Sequence, residues 1–547
     1  MVKKIFFLLI FLLIIASRLP FLNKELTWEE PLVVKSANSI ISHGFPYYYG
    51  GEQYNDKPSL SIDYPNKTNA VNLGKPPFFL FFVSIPVRIF SFFSETIKFR
   101  STIFLPQLIL FIFFYYYCLK RFKSLFIAAF GLLIFAFNPY IVQLSTQLAI
   151  DGTVLALSLF LLFLSFENLN KNSILKNYLT YFILFFISFG IRHETTVFFL
   201  ISFLIYLVLK KEFKILSIVF TTSIGAIFLY FTFFYFYTKS FDETLFLAPT
   251  GIIEGVLSSF FYPKLSGVNK NIFSGGVMLI DRLIVWVSPF FALLYLISIS
   301  KINKQNVLWH ILIIINLSIF FIVGWTGHFI PRYFAPIIPF MILSILSLIK
   351  KIKLNIKIIL LSVFLVTIIF SLEKFTIFLN LQRDLIINST HLKYWIFVVI
   401  ALFIFSFINR LNKLFIALLI ISLFIWQIRV NYNDSISPYS FTSLYGNYGY
   451  REAGLYLKNT LKTNDIIVTM DAIGFYYDRK YYDWYETYPY PSRNKHFQEV
   501  FLSKDSDIKA IALPKADFLT PEVDMFNINS NSYENKDFGT IKVYIKK

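Results

Sequence analysis

Two adjacent carboxylates, Glu29 and Glu30, stand where the chain leaves its first apolar segment. A third, Asp151, opens a later apolar run after Asn138-Pro139-Tyr140 and Gln143 to Gln147. Carboxylates of this kind can take a proton from a weak hydroxyl nucleophile. Cations accompany them: Lys75 in Gly74-Lys75-Pro76-Pro77, Arg192 in Arg192-His193-Glu194, and Arg332 in Gly327-His328-Phe329-Ile330-Pro331-Arg332-Tyr333. Lys and Arg can bind a phosphate and stabilise it as a leaving group. Pro76 and Pro77 would fix the backbone beside Lys75 and aim its side chain. Each residue also has a plain alternative. Arg, Lys and Tyr are common anchors at the ends of membrane spans. Asp151 before Gly152-Thr153-Val154 has the form of a helix N-cap, a role compatible with a site.

Composition shows what must position these groups. Of 547 residues, 56% are hydrophobic and 20% aromatic, with 68 Phe. Mean hydropathy is +0.62. These values exclude an ordinary soluble domain and indicate a polytopic helical membrane protein. The net charge of +19 would point a soluble protein toward nucleic acid. Here Lys and Arg collect in short loops, so no nucleic-acid partner is expected. Cys118 is the only cysteine, which rules out a disulfide within the chain and a metal site built on cysteines.

Apolar runs predict spans near 5–22, 101–118, 125–146, 151–166, 178–191, 195–209, 215–237, 280–299, 307–325, 334–349, 357–372, 394–408 and 413–428. That is about thirteen transmembrane helices. Basic loops at 120–123, 171–176, 210–214, 301–304, 350–353 and 410–413 all fall on the cytoplasmic side if the N-terminus is inside. The expected location is the cell membrane, multi-pass, with an external C-terminus. Pro77 to Phe93 breaks this parity if it crosses. Pro86 and Arg88 interrupt it, and we read it as a helix that lies in the outer interface or only dips into the membrane. The expected division is a membrane domain over 1–428, with a long first external loop over 23–100, and an external α/β domain over 429–547. In that domain 451–461 has helical spacing, and 465–470, 508–513 and 540–545 read as strands.

The motifs Glu29-Glu30, Gly44-Phe45-Pro46, Gly74-Lys75-Pro76-Pro77, Arg100-Ser101, Asn138-Pro139, Asp151, and Arg332-Tyr333 with Pro336 and Pro339 stand in a telling order. The chain resembles polytopic glycosyltransferases of the GT-C type over about residues 1–350. The likeness is greatest to the superfamily of protein O-mannosyltransferases and aminoarabinose transferases. The resemblance implies transfer of a sugar from a polyprenyl-phosphate donor at the outer face to a lipid, glycan or protein acceptor. It implies Glu29 and Glu30 at the first-loop acid pair, with Glu in place of the common Asp at the first position. Asp151 takes the second acid's place and Lys75 that of the donor-phosphate lysine. Gly74 stands where the aminoarabinose enzymes usually carry an acid, which weakens the case for that sugar and for a metal nearby.

We expect an inverting reaction with Glu29 as general base, Glu30 supporting it and Asp151 orienting the site. Lys75, Arg192 and Arg332 would meet the donor phosphate, with His193, His328 and Tyr333 as further candidates. These residues name no certain cofactor, and Glu29 and Glu30 near phosphates are also a ligand set for a divalent cation. Membrane lipids are expected around the bundle. The alternative is a lipid or polysaccharide transporter. That class places charges at mid-span, whereas here they gather at span ends, Asp281-Arg282 excepted. A membrane scaffold with a partner-binding external domain is a third reading.

Overall fold

The computed structural model describes residues 2–27, 30–44, 59–60, 77–89, 92–149, 152–169, 174–241, 287–300, 302–303, 305–324, 334–351, 356–371, 412–436, 448–479, 481–483, 508–514 and 532–547. The chain forms two compact units, one of residues 1–19 with 103–433 and one of residues 20–102 with 434–547.

The first unit is helical. Its elements include α1 (Val2–Ala16), Leu125–Ala136, Pro139–Leu144, Thr153–Glu167, Ile174–Ile191, His193–Lys210, Phe213–Phe241, Pro289–Ile299, Val307–Gly324, Ile338–Lys351, Ile356–Ser371 and Asn412–Ile436. Most of the 28-residue helix Glu95–Phe122 belongs here too. Among the described residues four helical stretches are long and apolar enough to cross a membrane: Thr96–Phe122, His193–Lys210, Phe213–Tyr237 and Lys413–Tyr432. The expected span over 394–408 lies outside the described residues. The run read as one span over 125–146 is two helices, because Pro139 starts a new one with Asn138 as its cap. Asn138 Oδ1 accepts the Tyr140 N–H at 3.1 Å, and its Nδ2 donates to the Val287 carbonyl at 3.1 Å.

Helix Phe213–Phe241 shows why such a sequence needs lipid. Val219, Ser223, Ala226, Tyr230 and Phe234 are buried, at a spacing that makes one helix face. Phe220, Ile224, Phe228 and Phe236 are exposed on the other. Only a hydrocarbon solvent makes that second face favourable. Within the bundle, Phe rings do much of the packing: Phe166 stacks on Phe203 with centroids 4.1 Å apart, and Phe163 meets Phe340 edge-on at 4.9 Å.

The second unit is α/β. A six-stranded sheet runs in the order β1 (Ser59–Leu60), β3 (Tyr481–Asp483), β2 (Ile466–Thr469), β4 (Ile508–Pro514), β6 (Ile541–Lys546), β5 (Tyr533–Phe538). The first three pairings in that row are parallel and the last two antiparallel. Strand β4 sits centrally and is buried along nearly all its length. Strand β5 closes the edge with the exposed residues Glu534 to Asp537, a charged border that discourages pairing with other chains. The strand β1 comes from the first loop and pairs with Tyr481 and Tyr482 of the C-terminal segment. Helix Glu30–His43 packs on helix Pro77–Ile89 and on helix Asp471–Tyr477. Pro77–Ile89 has 13 residues, fewer than the roughly 20 of a span.

Candidate active site

The loop before helix Glu30–His43 is built around a capping box. Thr27-Trp28-Glu29-Glu30 has the pattern Thr-x-x-Glu, in which the acid reaches back to the residue that caps the helix. Glu30 Oε2 accepts the Thr27 N–H at 2.8 Å and the Thr27 hydroxyl at 3.2 Å, and the Glu30 N–H donates to the Thr27 carbonyl at 3.0 Å. Pro31 follows Glu30 at the start of the helix.

The same oxygen meets a cation. Arg100 Nη2 lies 2.9 Å from Glu30 Oε2, with the side chains only 3% and 1% exposed. Arg100 also donates to the carbonyls of Phe21 and Glu25, both at 2.7 Å. One guanidinium thus gathers the end of the first apolar segment, the turn after it and the acid of the first loop. These donors around Glu30 are cationic or neutral N–H and O–H groups. They suit a carboxylate and do not fit a divalent metal ion at that oxygen. Among the described residues no group of three or more His, Cys, Asp or Glu is gathered for a metal.

A second buried acid, Glu25, was not singled out by sequence reasoning. Its carboxylate is 3% exposed and accepts three backbone N–H groups at the start of helix Tyr450–Thr460. Tyr448 and Gly449 (3.1 Å) donate to Oε1, and Arg451 donates to Oε2 at 2.9 Å. A helix start offers free amides and a positive dipole end, so an anion fits there. Burial pushes the Glu25 carboxyl above its ordinary value of 4.5, outweighing the backbone donors and Arg451, which pull it down. The Arg451 side chain donates to the carbonyls of Asn23 (3.1 Å) and Lys24 (3.4 Å) and to the Thr96 hydroxyl (3.3 Å). The Leu26 N–H donates to the Tyr476 hydroxyl at 2.7 Å, and burial raises that phenol above its usual 10.0. Lys35 Nζ donates to the Tyr481 hydroxyl at 2.8 Å. The residues flanking the acid pair are therefore clamped by the C-terminal segment at several points.

The remaining described candidates lie in the helical unit. Arg192 Nε pairs with Glu194 Oε2 at 3.0 Å at the start of helix His193–Lys210. His193 is turned inward, its Nδ1 2.6 Å from the Phe189 carbonyl and its ring 5.0 Å from that of Tyr230. Arg18, just past the end of α1, is fully buried. It donates to the carbonyls of Ala136 and Ile14 and lies 5.4 Å over the Phe111 ring. Glu29, Lys75, Asp151, His328, Arg332 and Tyr333 lie outside the described residues, as does Asp281-Arg282. Helix Thr153–Glu167 has Gly152 at its N-cap position, with no side-chain cap.

The long apolar helices are those of a multi-pass membrane protein. The family model described as dolichyl-phosphate-mannose-protein mannosyltransferase matches residues 74–236. No curated protein sequence matches the chain. Among solved structures, ArnT from Cupriavidus metallidurans bound to undecaprenyl phosphate is similar with a TM-score of 0.58 at 10% identity, covering 98% of this chain and 97% of that one. The same protein in the apo state gives a TM-score of 0.55 at 10% identity, with the same coverage. The chain carries the GT-C fold from end to end.

Proposed function

We propose that the chain is a membrane glycosyltransferase that moves a sugar from a polyprenyl-phosphate-linked donor to a hydroxyl acceptor on the outer face. The observation that carries this reading is the match of residues 74–236 to a mannosyltransferase family inside a fold shared with ArnT over 98% of the chain. That structure of ArnT holds undecaprenyl phosphate, and a lipid of the same class is the donor proposed here. The architecture proposed is about thirteen spans, an internal N-terminus and an external C-terminal domain.

In the reaction, Glu29 takes the proton of the acceptor hydroxyl, whose oxygen attacks the anomeric carbon. The bond from that carbon to the phosphate oxygen breaks with inversion. Lys75, Arg192 and Arg332 receive the negative charge that grows on the departing lipid phosphate. Asp151 orients the acceptor. Glu30 is already committed to Arg100 and Thr27, which leaves proton abstraction to its neighbour Glu29.

The test compares cells with the chain, without it, and with Glu29→Gln, by mass spectrometry of lipid-linked sugars and surface glycans. We expect a polyprenyl-phosphate sugar to accumulate, and one glycan modification to vanish, in both altered strains. Identical lipid and glycan profiles in all three would reject the reading.

A further inference from the structure

The helical unit contains a cavity of about 610 Å³ that the transfer reaction does not use. It lies where five helix ends meet: the last turns of Glu95–Phe122, Thr153–Glu167 and His193–Lys210, and the starts of Phe213–Phe241 and Val307–Gly324. Three cations line it, Lys120, Arg121 and Lys123, together with two carboxylates, Glu167 and Glu212. Its apolar wall includes Leu164, Leu207 and Ile215. We propose that this cavity binds the phosphodiester headgroup of a membrane phospholipid.

Four features support that assignment. First, the wall is half polar and half apolar, as an occupant with a charged head and a hydrocarbon tail demands. Second, the ionised side chains leave one net positive charge, which matches the single negative charge of a phosphodiester. Third, the cationic centre is organised in advance. Arg121 lies 5.5 Å over the Trp309 ring and donates to the Gln305 carbonyl. An Arg held over an aromatic ring loses little freedom when its other N–H groups meet an anion. Glu167 is likewise held, accepting the Tyr117 hydroxyl at 3.1 Å. Fourth, Lys120 and Lys123 are exposed at the mouth, at the ends of membrane helices. Basic pockets between helices at headgroup depth attract anionic lipid.

The experiment is native mass spectrometry of the full chain in detergent, titrated with dioctanoyl phosphatidylglycerol. Dioctanoylglycerol, which lacks the phosphate, is the control. We expect one saturating phosphatidylglycerol adduct, no comparable adduct of dioctanoylglycerol, and at least tenfold weaker binding to K120Q/K123Q. Arg121→Lys keeps the charge but loses the flat fork, and should weaken binding by a smaller factor. It reports on the site even where the double variant folds poorly. Phosphatidylglycerol that resists millimolar inorganic phosphate confirms a lipid occupant. Displacement by inorganic phosphate alone, at lower concentration than the lipid, would overturn the lipid assignment in favour of a soluble phosphate. Equal binding of dioctanoylglycerol, or unchanged affinity in folded K120Q/K123Q, overturns the site altogether.

Discussion

The carboxylate of Glu25 accepts the backbone N–H of Gly449 at 3.1 Å across 424 residues of sequence. With Tyr448 and Arg451 donating as well, the acid fills the open start of helix Tyr450–Thr460. Glu25→Ala leaves these N–H groups buried without an acceptor, at a cost of about 2 kcal/mol or more. Glu25→Gln should cost less, because one amide oxygen still accepts while its NH₂ faces a donor. Thermal unfolding of the purified chain in detergent would show the order wild type, Gln, Ala.

The pH dependence has a defined sign. Burial raises the folded Glu25 carboxyl above 4.5, so the folded chain binds a proton more readily than the unfolded one. The stability linked to that proton is complete below 4.5 and is lost as pH rises through the raised value. Measured against Glu25→Gln, which does not titrate, the wild type should gain stability as pH falls from neutral toward 4.5. The gain should level off below it. A difference between the two that stays flat from neutral to 4.5 contradicts this account.

Gly449 should tolerate no side chain. Its φ is +95°, and an added Cβ would lie 2.1 Å from the Phe538 carbonyl oxygen. Gly449→Ala therefore strains the backbone and collides with strand β5. We expect a lower unfolding temperature and a smaller monodisperse fraction on size exclusion, with loss of protease resistance around residues 448–460.

The two first-loop acids should separate by assay. Glu29→Gln should reduce turnover about 100- to 10,000-fold, the usual cost of losing a general base, with unfolding temperature unchanged. Arg100→Ala strands the buried Glu30 carboxylate and should cost roughly 3–5 kcal/mol of stability. Glu30→Gln should fall between, weaker in stability and reduced in turnover. Full turnover in Glu29→Gln alongside a stable but inactive Glu30→Gln would move the base by one residue.

Orientation is open to chemical labelling. Cys118 is fully buried, and its replacement by Ala gives a cysteine-free background. Single cysteines at Ser124 and at the exposed Thr460 should differ in intact cells. Only the Thr460 site should react with an impermeant thiol reagent. Labelling at Ser124 would invert the proposed topology.

What the sequence revealed depended on how local each signal is. Strands β2, β4 and β6 stand within a residue or two of the stretches read at 465–470, 508–513 and 540–545, because apolar β-branched runs announce themselves. Strand β5 gives no such sign, since Glu534-Asn535-Lys536-Asp537 is an exposed edge. Helix Glu30–His43 lies within the stretch 23–100 that the sequence presents as a loop. Its capping box and the buried period Val33, Ala37, Ile40 were both present in the sequence. Arg100 carried a motif whose reason, the buried Glu30, only geometry supplies. Glu25 was beyond reach, because its donors Tyr448, Gly449 and Arg451 lie more than 420 residues away.

That separation also sets a clock. Glu25 is made 423 residues before Tyr448, and at about 5–20 residues per second of synthesis the wait is about 20–85 s. Strand β1 waits about as long for Tyr481. Throughout that interval the segment holding the acid pair has emerged from the ribosome without its closing partner. Translation that stops before residue 448 yields a complete first loop with nothing to shut it. Segment 448–482 is thus the part of the chain whose synthesis lets Glu25 and strand β1 complete their hydrogen bonds.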